Sequence, residues 1–241
     1  MRVPDRSGTV ALRVASYNVR SLRDDVDALV RVVRAIEPDV LCLQEAPRAP
    51  LRWRRRREAF ARRAGLTVVA GRRKGGLAIL AGPGVRAVHA EYHLLRRYPP
   101  LERRALAIAV VEKDGRRVAV GCVHLDLSAR VRVRRVGEIE RHMARVRERF
   151  GTPDVLAGDV NEEPAGAAWR LLARRYTDCH AAAPDGHGGT FTAADPRKRI
   201  DAIFAGPGLG VRGCGVPRAD PADLAVATDH LPVRADLLLS R

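Results

Sequence analysis

The chain has 241 residues, 46% of them hydrophobic, so it can bury a sizeable core within a single domain. Its longest apolar runs, such as ALAIAVV (105–111), are too short to cross a bilayer, and the N-terminal residues lack the apolar core of a signal peptide, so we expect a cytoplasmic protein. The net charge of +16 favours a polyanionic partner, either nucleic acid or an anionic membrane surface, although only three of the 44 basic residues are Lys, and such an Arg excess also arises from a GC-rich genome.

The first third of the chain alternates between short apolar runs and an amphipathic stretch. Strands are predicted at 10–18, 39–45, 66–70 and 76–80. Between the first two, apolar residues at helical spacing predict a helix over 23–36, which Pro38 ends. The run RWRRRRE (52–58) predicts a further helix, whose charges form either a solvated face or a polyanion-binding patch.

The rest of the chain continues this alternation. ALAIAVVE and RVAVGCVHL flank a KDG turn and predict a hairpin over 105–125. A long helix is predicted at 129–149, a strand at 154–161, and a helix at about 165–175 with Trp169, Leu172 and Ala173 facing inward. The last clear strands are predicted at 197–206 and 231–239.

This order of elements, with helices between some strands and hairpins between others, predicts an α/β fold. We expect a four-layer αββα sandwich, in which two packed mixed β-sheets are flanked by helices; a doubly wound sheet is the alternative. One domain would span 1–241, with its core at about 10–239. The four scattered cysteines form no metal-binding spacing and are expected to be buried free thiols.

Polar residues recur where the apolar strands end or begin. The residues in these positions are Asn18, Glu45, His124, Asp159, Asn161, Asp201, Asp229 and His230. Each alone has a structural explanation, such as a cap or an Asx turn. Strand ends at one edge of a layered fold can converge, however, and converging carboxylates repel one another unless a cation joins them. Oxygen donors of this kind suit Mg²⁺ or Mn²⁺, and histidines beside such a cation suit attack on a phosphate ester.

Six segments resemble, in order, the motifs of the endonuclease/exonuclease/phosphatase superfamily, also described as deoxyribonuclease I-like. They are SYNVRSL (16–22), DVLCLQEA (39–46), CVHLD (122–126), LAGDVNEEP (156–164), TFTAADPRKRIDAIF (190–204) and ATDHLPV (227–233). The resemblance implies the αββα sandwich and a divalent-metal-dependent phosphoric ester hydrolase. Its expected substrate is a phosphodiester, with nucleic acid preferred and a lipid headgroup or small phosphorylated metabolite as the alternative. A monomer is expected.

The resemblance also implies roles for single residues. Glu45 would bind the cation with Asn18 beside it, and Asp229 would help to hold metal or water. Asp159 and Asn161 would orient the attacking water and the phosphate oxygens. His230 would be the general base or would stabilise the phosphate.

Three further assignments follow from the same resemblance. Asp201 would accept a hydrogen bond from the ring N–H of His230, and His124 would contact the phosphate or aid the leaving group. Arg104 matches an ExR position and would bind phosphate, unless it is an exposed salt-bridging arginine. The chain departs from deoxyribonuclease I at Gly75 and Gly76, where that enzyme has a glutamate that partners its first catalytic histidine.

Overall fold

A computed structural model describes residues 9–239 of the chain. Twelve strands occur in this part: β1 Val10–Asn18, β2 Val40–Gln44, β3 Thr67–Arg72, β4 Leu77–Ala81, β5 Arg86–Leu94, β6 Ala105–Lys113, β7 Arg116–His124, β8 Asp154–Asp159, β9 Thr177–Asp178, β10 Asp201–Ala205, β11 Leu209–Gly215 and β12 Val233–Leu239. The helices are α1 Val26–Ile36, α2 Trp53–Arg63, α3 Ala129–Phe150, α4 Ala167–Ala173, α5 Cys179–Ala182 and α6 Pro221–Ala227. The first eight residues, part of the stretch that lacks a signal-peptide pattern, lie outside the described residues.

The strands form two six-stranded mixed sheets. The first has the order β11-β12-β1-β2-β4-β3 and the second β5-β6-β7-β8-β10-β9. In each sheet one pair of strands is parallel, β1 with β2 and β7 with β8, and the other neighbours are antiparallel. Helices cover both outer faces, which confirms the predicted αββα sandwich and excludes a doubly wound sheet.

The core has three apolar layers, and β6 shows how the sequence builds two of them. Ala107 and Ala109 point between the sheets, whereas their neighbours Leu106 and Ile108 pack towards Met143 of α3. Small side chains thus separate the sheets while larger ones fill the space under the helices, following the two-residue period of a strand. A third layer packs α1 and α2 on the first sheet. All four cysteines are buried and free, as predicted.

The structure differs from the predicted elements in several places. The strands β5, β9 and β11 and the helices α5 and α6 were not predicted, and the strand predicted at 197–206 covers only Asp201–Ala205. Ala173 was expected to face inward but is exposed, because α4 ends there and the chain turns away after Leu172. In α2 one arginine of the charged run, Arg57, is buried and donates to the carbonyls of Ala46, Pro47 and Leu77.

None of the helices within residues 9–239 is long and apolar enough to span a membrane.

Candidate active site

The polar strand ends converge at one edge of the sandwich. In the second sheet, Asp159 at the end of β8 lies opposite His124 of β7 on one side and Asp201 of β10 on the other. Residues on the same rung of neighbouring strands share a face, with their Cβ atoms about 5 Å apart. Asn18, at the end of β1 in the first sheet, reaches across to this row: its Nδ2 lies 3.1 Å from Asp159 Oδ2.

The turns that follow the strands aim two more side chains at this point. Glu45 and Asn161 both have left-handed backbones, with φ of 49° and 53°. Asparagine tolerates this conformation, but a glutamate in it is strained, and such strain is concentrated at functional sites. Asp159 Oδ1 accepts from the Asn161 backbone N–H at 2.8 Å, and Asn161 Nδ2 donates to the Leu125 carbonyl at 3.0 Å. The position of Asn161 is therefore fixed by both its backbone and its side chain.

Asn18 lies at the centre of the cluster. Besides Asp159, its Nδ2 lies 3.3 Å from Glu45 Oε1 and 3.5 Å from His230 Nε2. Its Oδ1 accepts from the backbone N–H of Arg20 at 3.2 Å, which orients the amide. Two carboxylates and an imidazole thus each lie within 3.5 Å of one amide nitrogen.

His230 forms a buried pair with Asp201. The ring Nδ1 lies 2.9 Å from Asp201 Oδ2, and Phe191 packs on the imidazole with ring centroids 4.9 Å apart. Burial acts to lower the pKa of His230, but the charges of Asp201, Asp159 and Asp229 outweigh it and raise that pKa to about 9. The hydrogen bond leaves Nε2 facing the cluster, so the carboxylate fixes the orientation of the ring.

Burial and the neighbouring charge of Asp201 together raise the pKa of Asp159 to about 7. The raised pKa means that the charged form of Asp159 is disfavoured, by burial first and by repulsion from Asp201 second.

On the opposite side of Asp159, His124 has a different environment. Its Nε2 lies 3.4 Å from Asp159 Oδ2, and no other carboxylate of residues 9–239 comes within 4.0 Å of its ring nitrogens. Burial lowers the pKa of His124 well below its usual value, and the positive charges of Arg104, His230 and Arg48 lower it further. His124 is therefore neutral near pH 7, and within residues 9–239 Asp159 is the only carboxylate beside its ring, with no further one in place of the glutamate that the sequence lacks at 75–76.

Arg104 is buried rather than exposed. Its side chain is only 10% accessible and lines the cluster beside His124. Its ion pairs are long, 3.4 Å to Glu102 and 3.9 Å to Asp126, and its Nε has no hydrogen-bond partner. An arginine with unused donors at this position can bind an anion.

Asp229 lies apart from the other candidate residues. Its Oδ2 is 3.5 Å from Arg20 Nε, and its Oδ1 accepts from Thr228 Oγ1 at 3.3 Å. The Thr228 hydroxyl is 3.1 Å from the Asn18 carbonyl, so Asp229 reaches the cluster through its neighbours rather than directly. Like Asp201, it does not line the cleft that the other candidate residues form.

That cleft has a volume of about 620 Å³. It is lined by seven predicted residues and by several that sequence patterns did not indicate: Asn18, Glu45, Arg104, His124, Asp159, Asn161 and His230, with Arg48, Glu102, Leu127, Glu162, Glu163, Phe191, Lys198 and Ile200. Lys198 and Phe191 lie inside a quoted motif and could have been found there. Arg48 had no signal, because nothing in the sequence shows that the turn after β2 folds back over the cleft.

The residues present fit a divalent cation. Ligand atoms of Asp159, Asp201 and His230 lie within 4.8 Å of one another. Asp201 Oδ2 and His230 Nδ1 are hydrogen-bonded to each other, so Asp159 and Glu45 are the better oxygen donors. Asn18 turns Nδ2 towards both carboxylates and would offer Oδ1 to a cation after rotation of its amide. The raised pKa of Asp159 supports this choice, since a cation would neutralise the charge that accumulates there.

Comparison with known proteins identifies the family of the chain and proteins of similar fold. The profile of the Endonuclease/Exonuclease/phosphatase family matches residues 15–230. A search of curated proteins found no match to the sequence. Among solved structures, an endonuclease/exonuclease/phosphatase of Bacteroides vulgatus has a TM-score of 0.79 at 21% identity, over 96% of this chain and 100% of that one.

Two further structures are similar to the chain. A mannosyl-6-phosphatase of Bacteroides thetaiotaomicron has a TM-score of 0.78 at 19% identity, over 94% of this chain and 99% of that one. The catalytic domain of human Nocturnin, with a bound sulfate, has a TM-score of 0.71 at 16% identity, over 95% and 96% of the two chains. At these identities the structures share the fold. On the family profile, the chain belongs to the endonuclease/exonuclease/phosphatase family, whose members hydrolyse phosphoester bonds.

Proposed function

We propose that the protein is a divalent-metal-dependent phosphodiesterase that cleaves nucleic acid. The observation that carries the proposal is the His230–Asp201 pair. The Nε2 of His230 faces Asp159 and Asn18 in a cleft that is also lined by Arg104, whose Nε has no hydrogen-bond partner. Hydrolysis of a phosphodiester needs a positioned water, a proton acceptor and positive charge on the non-bridging oxygens.

The two histidines would divide this work. His230, fixed by Asp201, presents Nε2 to the water or to a phosphate oxygen, as general base or as charged donor. A cation bound at Asp159 would offset one of the charges that raise the pKa of His230. It would therefore bring that pKa down towards 7. His124, held neutral by Arg104 and burial, can donate a hydrogen bond to the phosphate without adding charge.

Positive charge would come from Arg104 and from the cation. Asn18, Glu45 and Asp159 would hold Mg²⁺ or Mn²⁺, which supplies charge neutralisation on the phosphate when bound. Asn161, fixed beside Asp159, would orient the water and a phosphate oxygen. We assign Asp229 to holding Arg20 and Thr228 around this group, since its carboxylate already contacts both.

Nucleic acid is preferred as substrate because of the charge around the cleft. The chain has a net charge of +16, and Arg48, Arg104 and Lys198 line the cleft itself. Contacts of Arg and Lys to backbone phosphates supply most sequence-independent affinity for nucleic acid.

A small phosphorylated metabolite or lipid headgroup is the second candidate. The three carboxylates Glu102, Glu162 and Glu163 also line the cleft, which opposes a long phosphate backbone there. The similarity to the mannosyl-6-phosphatase extends over nearly the full length of both chains.

A substrate panel with Mg²⁺ separates the two candidates. The panel comprises a single-stranded oligonucleotide, plasmid DNA, RNA, mannose 6-phosphate, an inositol phosphate and sphingomyelin, with His230→Ala as the inactive control. We expect cleavage of at least one nucleic acid, falling sharply between low and moderate salt. Turnover of a small phosphate or the lipid, with no nucleic acid cleaved at any salt, would replace the first candidate by the second.

A further inference from the structure

A larger hollow lies at the same edge of the sandwich as the catalytic cleft. It has a volume of about 770 Å³ and is formed by the turn between β3 and β4, the start of α2 and the end of β5. We call it the basic hollow, and its lining includes Trp53, Arg54, Arg72, Arg73, Lys74 and Tyr92. The strand β3 ends at this edge, as β2 does, because both run antiparallel to β4 between them.

The cations of the basic hollow are uncompensated. Arg72, Arg73 and Lys74 are exposed and, within residues 9–239, have no carboxylate oxygen within 4.0 Å. Arg54 likewise has no ion pair there; its guanidinium lies over the Trp53 ring, 5.1 Å from the centroid. Unpaired arginines also occur elsewhere in the described part of the chain, but here four unpaired cations gather around one concave surface. Like charges gathered around a concave surface raise the local concentration of anions.

The turn that carries three of these cations is held in place. Tyr92 Oη donates to the Lys74 carbonyl at 2.5 Å, which ties the turn of the first sheet to β5 of the second. Gly75 has a φ of +85°, and a Cβ there would lie 2.4 Å from Ala105 Cβ, so the turn packs closely against the start of β6. Because the backbone of the turn is already fixed, binding of a ligand would order only the side chains of its cations.

The same turn connects the hollow to the catalytic cleft. The Gly76 carbonyl accepts from the Ala46 N–H at 2.8 Å, and Gly76 lies against the side chain of Arg48. Arg48 lines the cleft, and the Ala105 that Gly75 touches directly follows Arg104. Basic groups therefore continue from the phosphate-binding arginine of the cleft to the far side of the hollow.

Aromatic rings accompany the charges. Trp53 and Tyr92 are half-buried on the wall of the hollow. A groove that combines cations with aromatic faces is typical of surfaces that follow a single strand of nucleic acid, because phosphates meet the cations while bases stack on rings.

We propose that the basic hollow binds backbone phosphates of a nucleic acid strand whose cleaved phosphate occupies the catalytic cleft. The inference rests on the proposed function, since it names where the rest of that substrate lies. It makes Arg72, Arg73 and Lys74 determinants of affinity for long substrates that take no part in the chemistry.

The test measures binding and cleavage separately. Fluorescence anisotropy of a labelled single-stranded 12-mer in EDTA reports binding without turnover, for the wild type and for Arg72→Ala/Arg73→Ala. The matched control is Arg62→Ala/Arg174→Ala. It removes two exposed arginines that have no ion pair within residues 9–239 and that lie at the C-terminal ends of α2 and α4. With Mg²⁺, cleavage of the 12-mer is compared with that of a small chromogenic phosphodiester.

We expect the hollow variant to bind the 12-mer at least tenfold more weakly than the control, with a salt slope smaller by about 1.4. KM for the 12-mer should rise, and turnover of the small phosphodiester should be unchanged. Equal binding by the two double variants would overturn the inference, even if the 12-mer is cleaved. Absence of 12-mer binding by the wild type, or binding only to vesicles with anionic lipid, would also overturn it. If the hollow variant bound the 12-mer more weakly than the control but the wild type did not cleave the 12-mer, the proposed function would be refuted. The basic hollow would then still be a nucleic acid-binding site.

Discussion

The two sides of the catalytic cleft hold the same kind of side chain in opposite states. His230 has a carboxylate 2.9 Å behind its ring, and its pKa is raised to about 9. His124 has no such carboxylate and lies beside Arg104, and its pKa is lowered well below the usual value. Both rings contact Asp159, at 3.9 and 3.4 Å. At His230 the carboxylate of Asp201 outweighs burial, whereas at His124 burial and, after it, the charge of Arg104 both lower the pKa. We infer that this difference also decides the role of each ring.

The largest expected effect is on the charged side. His230→Ala removes the group that we assign to proton transfer or phosphate stabilisation, and such groups contribute about 10²–10⁴-fold to the rate. We expect kcat to fall by about 10³-fold with little change in the thermal unfolding midpoint. His187→Ala, at an exposed position outside the cleft, is the matched control. Near-normal turnover of His230→Ala on a substrate that the wild type cleaves would show that His230 takes part in neither proton transfer nor phosphate stabilisation.

Asp201→Asn tests the cause of the charged state. A raised histidine pKa stabilises the folded protein below the usual value of 6.5, and this contribution is lost as the pH rises through about 9. At about 1.4 kcal/mol per unit, the raised pKa of His230, to which Asp201 contributes more than Asp159 or Asp229, stabilises the folded protein by on the order of 3 kcal/mol at pH 6. In EDTA, we expect the variant to lose more free energy of unfolding at pH 6 than at pH 10.

The same variant should lower the pKa of His230 in a metal-free NMR titration, and kcat should fall by about 10²-fold. An unchanged His230 titration would mean that Asp201 is not what holds the charge.

On the neutral side, Arg104→Ala should cost less. Loss of one charged hydrogen-bond donor to the phosphate corresponds to about 1.5–3 kcal/mol, or roughly 10–100-fold in kcat/KM. Its removal should also raise the pKa of His124, since the Arg104 charge lowers it. Arg104→Lys should restore part of the activity. An Arg104→Ala enzyme with unchanged kcat/KM would show that the arginine binds no phosphate.

The smallest expected effect is at Asp229. Because its carboxylate faces Arg20 and Thr228, Asp229→Asn should lower activity less than tenfold and should hardly change the Mg²⁺ concentration needed for half-maximal rate. Glu45→Gln, which removes a carboxylate of the cluster, is the reference for comparison. Equal losses in the two variants would place Asp229 with the metal ligands.

Much of the architecture could be predicted from sequence because its core strands are strongly apolar. The strands β2, β6, β7 and β8 are recognisable in the sequence as apolar runs. Polar residues at the ends of these runs then mark the candidate site. The strands β5 and β11 could not be found, since they lie at sheet edges and are only half-buried.

The sequence could indicate most residues of the site but not the contacts between them. Asp229 and His230 are adjacent in the chain, but only the coordinates show that Asp229 faces Arg20 while His230 faces Asp201. Arg48 was missed because its position depends on how Arg57 holds the turn after β2, through hydrogen bonds to the carbonyls of Ala46 and Pro47. Such contacts are long-range in sequence and follow no periodicity.

The account depends most on a divalent cation held by Asn18, Glu45 and Asp159 beside the His230–Asp201 pair. The direct measurement is phosphodiester hydrolysis as a function of Mg²⁺ concentration, for the wild type and for Glu45→Gln. We predict no turnover in excess EDTA, recovery on adding Mg²⁺ or Mn²⁺, and a much higher Mg²⁺ requirement for the variant. Full turnover by the wild type in chelator would contradict the account.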